Sequence, residues 1–248
     1  DDNFEQALID FGIDSDSVLN DSIQKNQIKN ITYLNLVYGH YYNPWDTNFQ
    51  IGLNIYDLSG IEDFISLEYL NFAFNSISNV DVSNNINLNT LYTSNNNLSK
   101  IDVRNLSMLE RFTCRNNQID SLDLSQNLLL SQIWCENNLL KKLDLRNGNN
   151  VNMVDINDIK LYGNPNLFCV DVDDVSWSDS VWTYSSGIID PQTSFSTNCS
   201  TAFGCIDSAA CNYDSTATIN DSSCVYTVIW QQAFSICNGD SVVVGNNI

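Results

Sequence analysis

The sequence predicts a solenoid of short stacked coils, capped at both ends and followed by a small cysteine-rich module. Three observations carry that prediction. Leu67, Leu88, Leu109 and Leu130 stand 21 residues apart. An asparagine recurs in phase with them, at Asn75, Asn96, Asn117 and Asn138. Six of the eight cysteines fall between Cys169 and Cys237. Self-similarity at a fixed period marks an architecture in which each unit buries its apolar face only by stacking on its neighbours.

Aligned on those leucines, the copies read LEYLNFAFNSISNVDVSNNIN, LNTLYTSNNNLSKIDVRNLSM, LERFTCRNNQIDSLDLSQNLL and LSQIWCENNLLKKLDLRNGNN. The common pattern is L-x-x-L-x-L-x-x-N-x-L-x-x-L-D-L, with Phe, Ile, Val or Cys replacing some leucines. The period falls in the leucine-rich-repeat range of about 20–29 residues. The predicted fold class is therefore a leucine-rich-repeat solenoid. It has a parallel β-sheet on the concave face, a mostly irregular or turn convex side, an N-terminal helical cap and a small disulfide-rich C-terminal module.

Each element follows in chain order. Asn3 to Phe11 reads as a short amphipathic helix closing the N-terminal end. Ile31-x-x-Leu34-x-Leu36 starts a first coil, interrupted by an aromatic insertion around VYGHYYNPWDTNFQIGL and resumed at Asn54, Ile55 and Leu58. Leu70-x-Phe72, Leu91-x-Thr93, Phe112-x-Cys114 and Ile133-x-Cys135 have the period of two of a strand, with that face inward. The recurring asparagine follows each strand, where its amide can satisfy backbone groups of its own turn and the next coil. Val80-Asp81-Val82 and its equivalents pack the convex side. Ile156-x-x-Ile159-x-Leu161-x-x-Asn164 restores the pattern after an insertion, and Val170-Asp171-Val172 completes the last coil. The domain boundaries read as 1–200 for the repeat domain with its caps, 201–226 for the cysteine- and aspartate-rich module, and 227–248 for the start of a further β-rich module cut short.

Composition narrows the function. With 10 Lys+Arg against 30 Asp+Glu and a formal charge of -20, the chain lacks the basic face that nucleic acid requires. No apolar run approaches the ~18 residues of a membrane span. A chain that begins on Asp1-Asp2-Asn3 carries no signal segment, so a targeting segment is expected to have been removed. A cysteine-dense tail belongs in an oxidising compartment, which points to a secreted or cell-surface protein.

The segments NFEQALIDFGIDSDS, LSGIEDF and NPNLFCVDVDD resemble the cap, first coil and closing coil of secreted leucine-rich-repeat proteins of the Bacteroidetes. The resemblance covers about residues 1–200 and departs from the usual pattern at the aromatic insertion. It suggests a bridge between Cys169 and Cys199, a pairing that would also staple the C-terminal cap. Cys114 and Cys135 occupy equivalent inward positions one repeat apart. A strand spacing of about 4.8 Å favours buried thiols there over a bridge. GCIDSAACNYDSTATINDSSCVY resembles a short module of large secreted Bacteroidetes proteins, itself similar to thrombospondin type 3 calcium repeats. That resemblance implies a Ca²⁺ site at Asp207, Asn212, Asp214 and Asp221. The alternative is a solvated acidic turn. Among the remaining cysteines the preferred pair is Cys205–Cys224, though spacing alone does not decide it.

No catalytic constellation emerges. The one histidine, His40, would have to carry any triad alone, and no phosphate-binding glycine motif occurs. The expected function is binding, not catalysis. Concave-face candidates are Tyr69, Tyr92, Arg111, Arg115, Trp134, Lys160 and Tyr162, rich in the residue types that dominate binding hot spots. The insertion supplies a second set, His40, Tyr41, Tyr42, Trp45 and Phe49. Exposed, these would form a sticky patch; buried, they would cap the solenoid edge. The expected partner is an extracellular protein or glycan. The other reading is a structural spacer in a larger surface adhesin.

Overall fold

In the computed structural model the described residues are 1–38, 51–201, 203–215, 217, 219–220, 223–226, 228–230 and 234–236. The chain divides into two compact units, Asp1–Thr197 and Asn198–Ile248. The first is a leucine-rich-repeat solenoid.

Helix α1 (Asp2–Asp10) opens it, and α2 (Lys25–Ile28) follows. The strands then run β1 (Tyr33–Asn35), β2 (Val37–Tyr38), β3 (Ile51–Gly52), β4 (Tyr69–Asn71), β5 (Thr90–Tyr92) and β6 (Arg111–Thr113). Next come β7 (Ser121–Asp123), β8 (Gln132–Trp134), β9 (Lys142–Asp144), β10 (Ile159–Lys160) and β11 (Cys169–Asp171). Helix α3 (Val175–Val181) and β12 (Ser194–Ser196) complete the unit. Strands β1-β4-β5-β6-β8-β10 form a six-stranded parallel sheet, the concave face. Its register is in phase with the repeat, so Leu34, Leu70, Leu91, Phe112, Ile133 and Ile159 align across it. All six side chains are buried. Each contributes roughly 1.5–3 kcal/mol through burial alone.

The recurring asparagines form a hydrogen-bonded ladder. The Nδ2 of Asn117 donates to the Cys114 carbonyl of its own turn at 3.0 Å and to the Thr93 carbonyl of the preceding coil at 3.1 Å. Its Oδ1 accepts from the Leu98 N–H at 3.0 Å. Asn75, Asn96, Asn138 and Asn164 repeat the arrangement, so consecutive coils are bonded through side chains as well as strands. The turn needs one left-handed residue ahead of each rung. Phe74, Asn95, Asn116 and Asn137 supply it, with φ between 53° and 59°. Gly163 takes the equivalent place at φ 73°, where a Cβ would lie 2.2 Å from Asn137 Oδ1.

The convex side is more regular than its sequence suggests. Strands β12-β11-β9-β7 form a second parallel sheet there. The same period that stacks the concave strands stacks the Leu-Asp-Leu segments, so their backbones pair as well. The central Asp of each such segment accepts the N–H two residues on, as in Asp81 to Ser83 and Asp123 to Ser125. This local bond turns the chain into the next arc. On the same side Asn85 and Asn127, fully buried, each donate to two carbonyls of the coil before.

The caps close both ends of the apolar column. Helix α1 buries Phe4, Ala7 and Leu8. Its N-cap, Asp1, accepts from the Asn3 and Phe4 N–H groups through Oδ1 and from those of Tyr56 and Asp57 through Oδ2, tying the helix to the first coil. At the other end Trp182 is fully buried, its indole N–H donating to the Met153 carbonyl at 2.7 Å. Trp177 and Phe195 pack edge-on against it. In the second unit β13 (Phe203–Gly204) pairs with β14 (Ile219–Asn220), and β15 (Val228–Trp230) pairs with β16 (Phe234–Ile236).

The ladder makes a quantitative prediction. Asn117→Ala strands buried backbone groups in two coils and should lower the unfolding free energy by roughly 2–4 kcal/mol. Replacing exposed Asn97, whose one side-chain bond spans 3.3 Å, should change it by less than about 0.5 kcal/mol. Urea unfolding of the two variants compares them directly.

Candidate binding face

The register of the concave sheet sorts its outward side chains into three rows. The first lies along the strand starts: Tyr33, Tyr69, Thr90, Arg111 and Gln132, with Asp158 just ahead of β10. The second, two residues on, holds Asn71, Tyr92, Thr113, Trp134 and Lys160. The third continues past the strand ends through Ala73, Ser94, Arg115, Glu136 and Tyr162.

The rows differ sharply in access. In the first, Tyr33 is 59% exposed and Arg111 is exposed. Tyr69, Gln132 and Asp158 are half-buried, and Thr90 is buried at 7% exposure. The Tyr33 and Tyr69 rings stack at 4.4 Å with 13° between their planes, and Tyr92 meets Tyr69 edge-on at 5.7 Å. Burial, together with the Tyr33 and Tyr92 rings, pushes the Tyr69 hydroxyl well above the ordinary phenol range. Tyr92 is also raised by burial, an effect opposed by the Arg111 charge and a hydrogen bond from its side chain.

The second row corrects the expectation drawn from periodicity. Tyr92, Trp134 and Lys160 point outward yet are buried, at 7%, 2% and 6% exposure. Strands about 4.8 Å apart crowd long side chains against their in-register neighbours. The Trp134 indole N–H donates to the Asn157 carbonyl at 2.9 Å, and the Lys160 ammonium sits 3.8 Å from the ring centroid. Both are held within the face.

The third row contains a buried charge cluster. Glu136 is 2% exposed. Its Oε1 lies 3.9 Å from Arg115 Nη1, while its Oε2 and Arg115 Nε have no hydrogen-bond partner. Desolvation raises the Glu136 pKa, opposed by its own backbone N–H and the charges of Lys160 and Arg115. Desolvation likewise lowers that of Lys160. For Glu136 and for Lys160, burial therefore outweighs the attraction of the opposite charge nearby. Tyr162 is half-buried beside them.

The other sequence candidates fall elsewhere. Strands β2 and β3 pair antiparallel at the two ends of the insertion. His40, Tyr41, Tyr42, Trp45 and Phe49 lie outside the described residues, as does Asp221. In the second unit Cys205 is bonded to Cys224. Cys169, Cys199 and Cys211 are also disulfide-bonded, and Cys114 and Cys135 are buried free thiols. Burial pushes both thiols far above their usual range. Asp207 accepts from the Ala209 N–H through Oδ1 and from the Tyr226 hydroxyl through Oδ2. The Asn212 amide is committed to Val225 N–H and the Ser223 carbonyl. Asp214 donates its backbone N–H to the Cys205 carbonyl. Among the described residues no three His, Cys, Asp or Glu side chains converge in a metal-binding group. None of their helices is long and apolar enough to cross a membrane.

Tyr33 is the face residue that sequence reading overlooked. It stands one position before Leu34, where Tyr69 stands before Leu70. The first coil was legible from Leu34 and Leu36, but its outward positions were left out of the concave face.

Solved structures place the repeat unit in context. The functional domain of InlJ from Listeria monocytogenes, described as including a cysteine ladder, is 27% identical over 69% of this chain and 36% of its own, with a TM-score of 0.50. A leucine-rich-repeat protein of Leptospira interrogans is 20% identical over 68% of this chain and 38% of its own, TM-score 0.42. An internalin of Listeria monocytogenes, InlF, is 17% identical over 68% and 48%, TM-score 0.36. The chain thus spans less than half the length of each. No protein-family model and no curated protein matches it.

The pH dependence of stability reports on the third row. A raised folded-state pKa means that the folded protein holds the Glu136 proton more tightly than the unfolded chain does. The contribution of Glu136 to stability is therefore fullest below the ordinary carboxyl range and declines as pH rises through the raised value. Glu136→Gln should accordingly gain on the wild type between pH 4 and pH 8 in urea unfolding. Parallel pH profiles for the two proteins would contradict this.

Proposed function

We propose that this chain is an extracellular binding module that recognises a partner through the first row of its concave face. The observation that carries the reading is a row that begins on the stacked Tyr33 and Tyr69, crosses the buried Thr90 and ends on the exposed Arg111. Stacked rings offer rigid contact area at little conformational cost, and a guanidinium adds directional donors. Arg111 makes no ion pair among the described residues, whereas Arg104 and Arg146 are tied to Asp102 and Asp144 of their own turns. The disulfides support an oxidising, extracellular setting. The InlJ fragment is described as that protein's functional domain, which supports a repeat region that acts in its own right and is more than a spacer.

Surface labelling tests the reading. The fluorescent 248-residue protein is presented to intact cells of varied origin and scored by flow cytometry. Tyr69→Ala combined with Arg111→Gln should reduce labelling about tenfold or more. Lys100→Gln, on an exposed site away from the face, should leave it unchanged. Equal labelling by all three proteins would overturn a concave-face site and move binding elsewhere on the chain; labelling by none would favour the spacer reading.

A further inference from the structure

The first row carries more specific chemistry, and the following rests on the reading that the concave face binds. We propose that its ligand is a carbohydrate chain bearing sparse carboxylates, stacked by a sugar ring on Tyr33 and read by Arg111.

Tyr33 lies on the edge strand of the concave sheet. One face of its ring is stacked on Tyr69, and the residue is still 59% exposed, with no second ring stacked on it among the described residues. The face of an aromatic ring carries the negative part of its quadrupole. It suits the polarised C–H groups on the apolar side of a sugar. Tyr33, Tyr69, Thr90 and Arg111 are successive in register, three strand spacings end to end. That is about 14 Å at 4.8 Å per strand, a separation that calls for an oligosaccharide and not a single sugar. A guanidinium presents parallel N–H groups matched to a carboxylate. Gln132, the next in register, donates its amide N–H to the Asn157 carbonyl at 2.8 Å and keeps its amide oxygen for a hydroxyl.

Two observations select this occupant. The second row is buried, so the strip has no recess for the desolvated anchor of a protein hot spot. One side chain wide and about 24 Å long across six strands, it falls well short of the roughly 800 Å² that a stable protein interface buries on each partner. Charge sets the other limit. A molecule of net charge -20 repels a dense polyanion, while one arginine with no ion pair among the described residues matches an isolated carboxylate.

Calorimetry on the full chain separates the alternatives. The titrants are an oligosaccharide alternating uronic acid with neutral sugar, its carboxyl-reduced derivative, and a heavily sulfated polysaccharide. Wild type, Arg111→Gln, Tyr33→Ala and Tyr33→Phe are compared after their urea midpoints are matched. The uronate should bind the wild type. Arg111→Gln and carboxyl reduction should each weaken binding about tenfold, and together no further. Tyr33→Ala should weaken it similarly and Tyr33→Phe should restore it. The sulfated polymer should bind no more tightly. Absence of uronate binding, or equal binding by Arg111→Gln, overturns the proposal. If the concave double variant still abolishes cell labelling, the carbohydrate inference alone falls and a protein partner takes its place.

Discussion

The buried asparagine ladder is the constraint on which this molecule depends. A coil closed in 21 residues turns too tightly for its backbone to satisfy itself, and the turn after each concave strand leaves carbonyl and N–H groups inside the apolar column. One carboxamide has both donor and acceptor capacity and reaches groups in two adjacent coils. No aliphatic side chain at that position could do so, and a carboxylate would bring a charge into the core. Leucine packing supplies most of the stabilisation, but leucines tolerate several arrangements. The amide permits one vertical offset between coils, and that offset aligns every strand.

From the alignment follows the geometry of the concave face. A fixed offset stacks equivalent residues in straight rows, so a side chain's neighbours are its counterparts in the coils before and after. Tyr33 stacks on Tyr69 for this reason, and Lys160 lies over Trp134. The same crowding decides which row stays accessible. Large side chains in the middle row consume one another's surface, while at the strand starts Tyr33 and Arg111 stay exposed. The paired but poorly compensated charges of Arg115, Glu136 and Lys160 belong to the same pattern: residues brought together by register and not by ideal ion-pair geometry.

This explains how far the sequence could be read. Period, inward positions and ladder were legible because each is a local rule repeated several times. The second parallel sheet was not, because its segments are short and alternate like any convex arc. Trp182 was hidden in an acidic stretch whose Asp174 N-cap and following Trp177 signal a helix only weakly. Asn85 and Asn127 escaped notice because they sit 42 residues apart, with Leu106 between them at the equivalent place. The binding face was half legible. Alternation identifies which side chains leave the sheet on the concave side. It says nothing of whether neighbours then cover them, so Tyr92 and Trp134 looked as available as Tyr33 proves to be.

The contrast between Arg111 and the two convex arginines carries the functional argument furthest. Arg104 and Arg146 each follow an aspartate by two residues, and that aspartate already fixes the turn, so their charges are neutralised by the element that positions them. Arg111 begins a strand, where the repeat supplies no carboxylate. Its neighbours across the sheet are Thr90 and Gln132, both neutral. In a chain with three times as many acids as bases, a cation whose two cross-strand neighbours are neutral is a departure from the pattern of Arg104 and Arg146. Among the described residues it reaches only the Tyr92 hydroxyl, which calls for no charge. Its chemistry is directed outward.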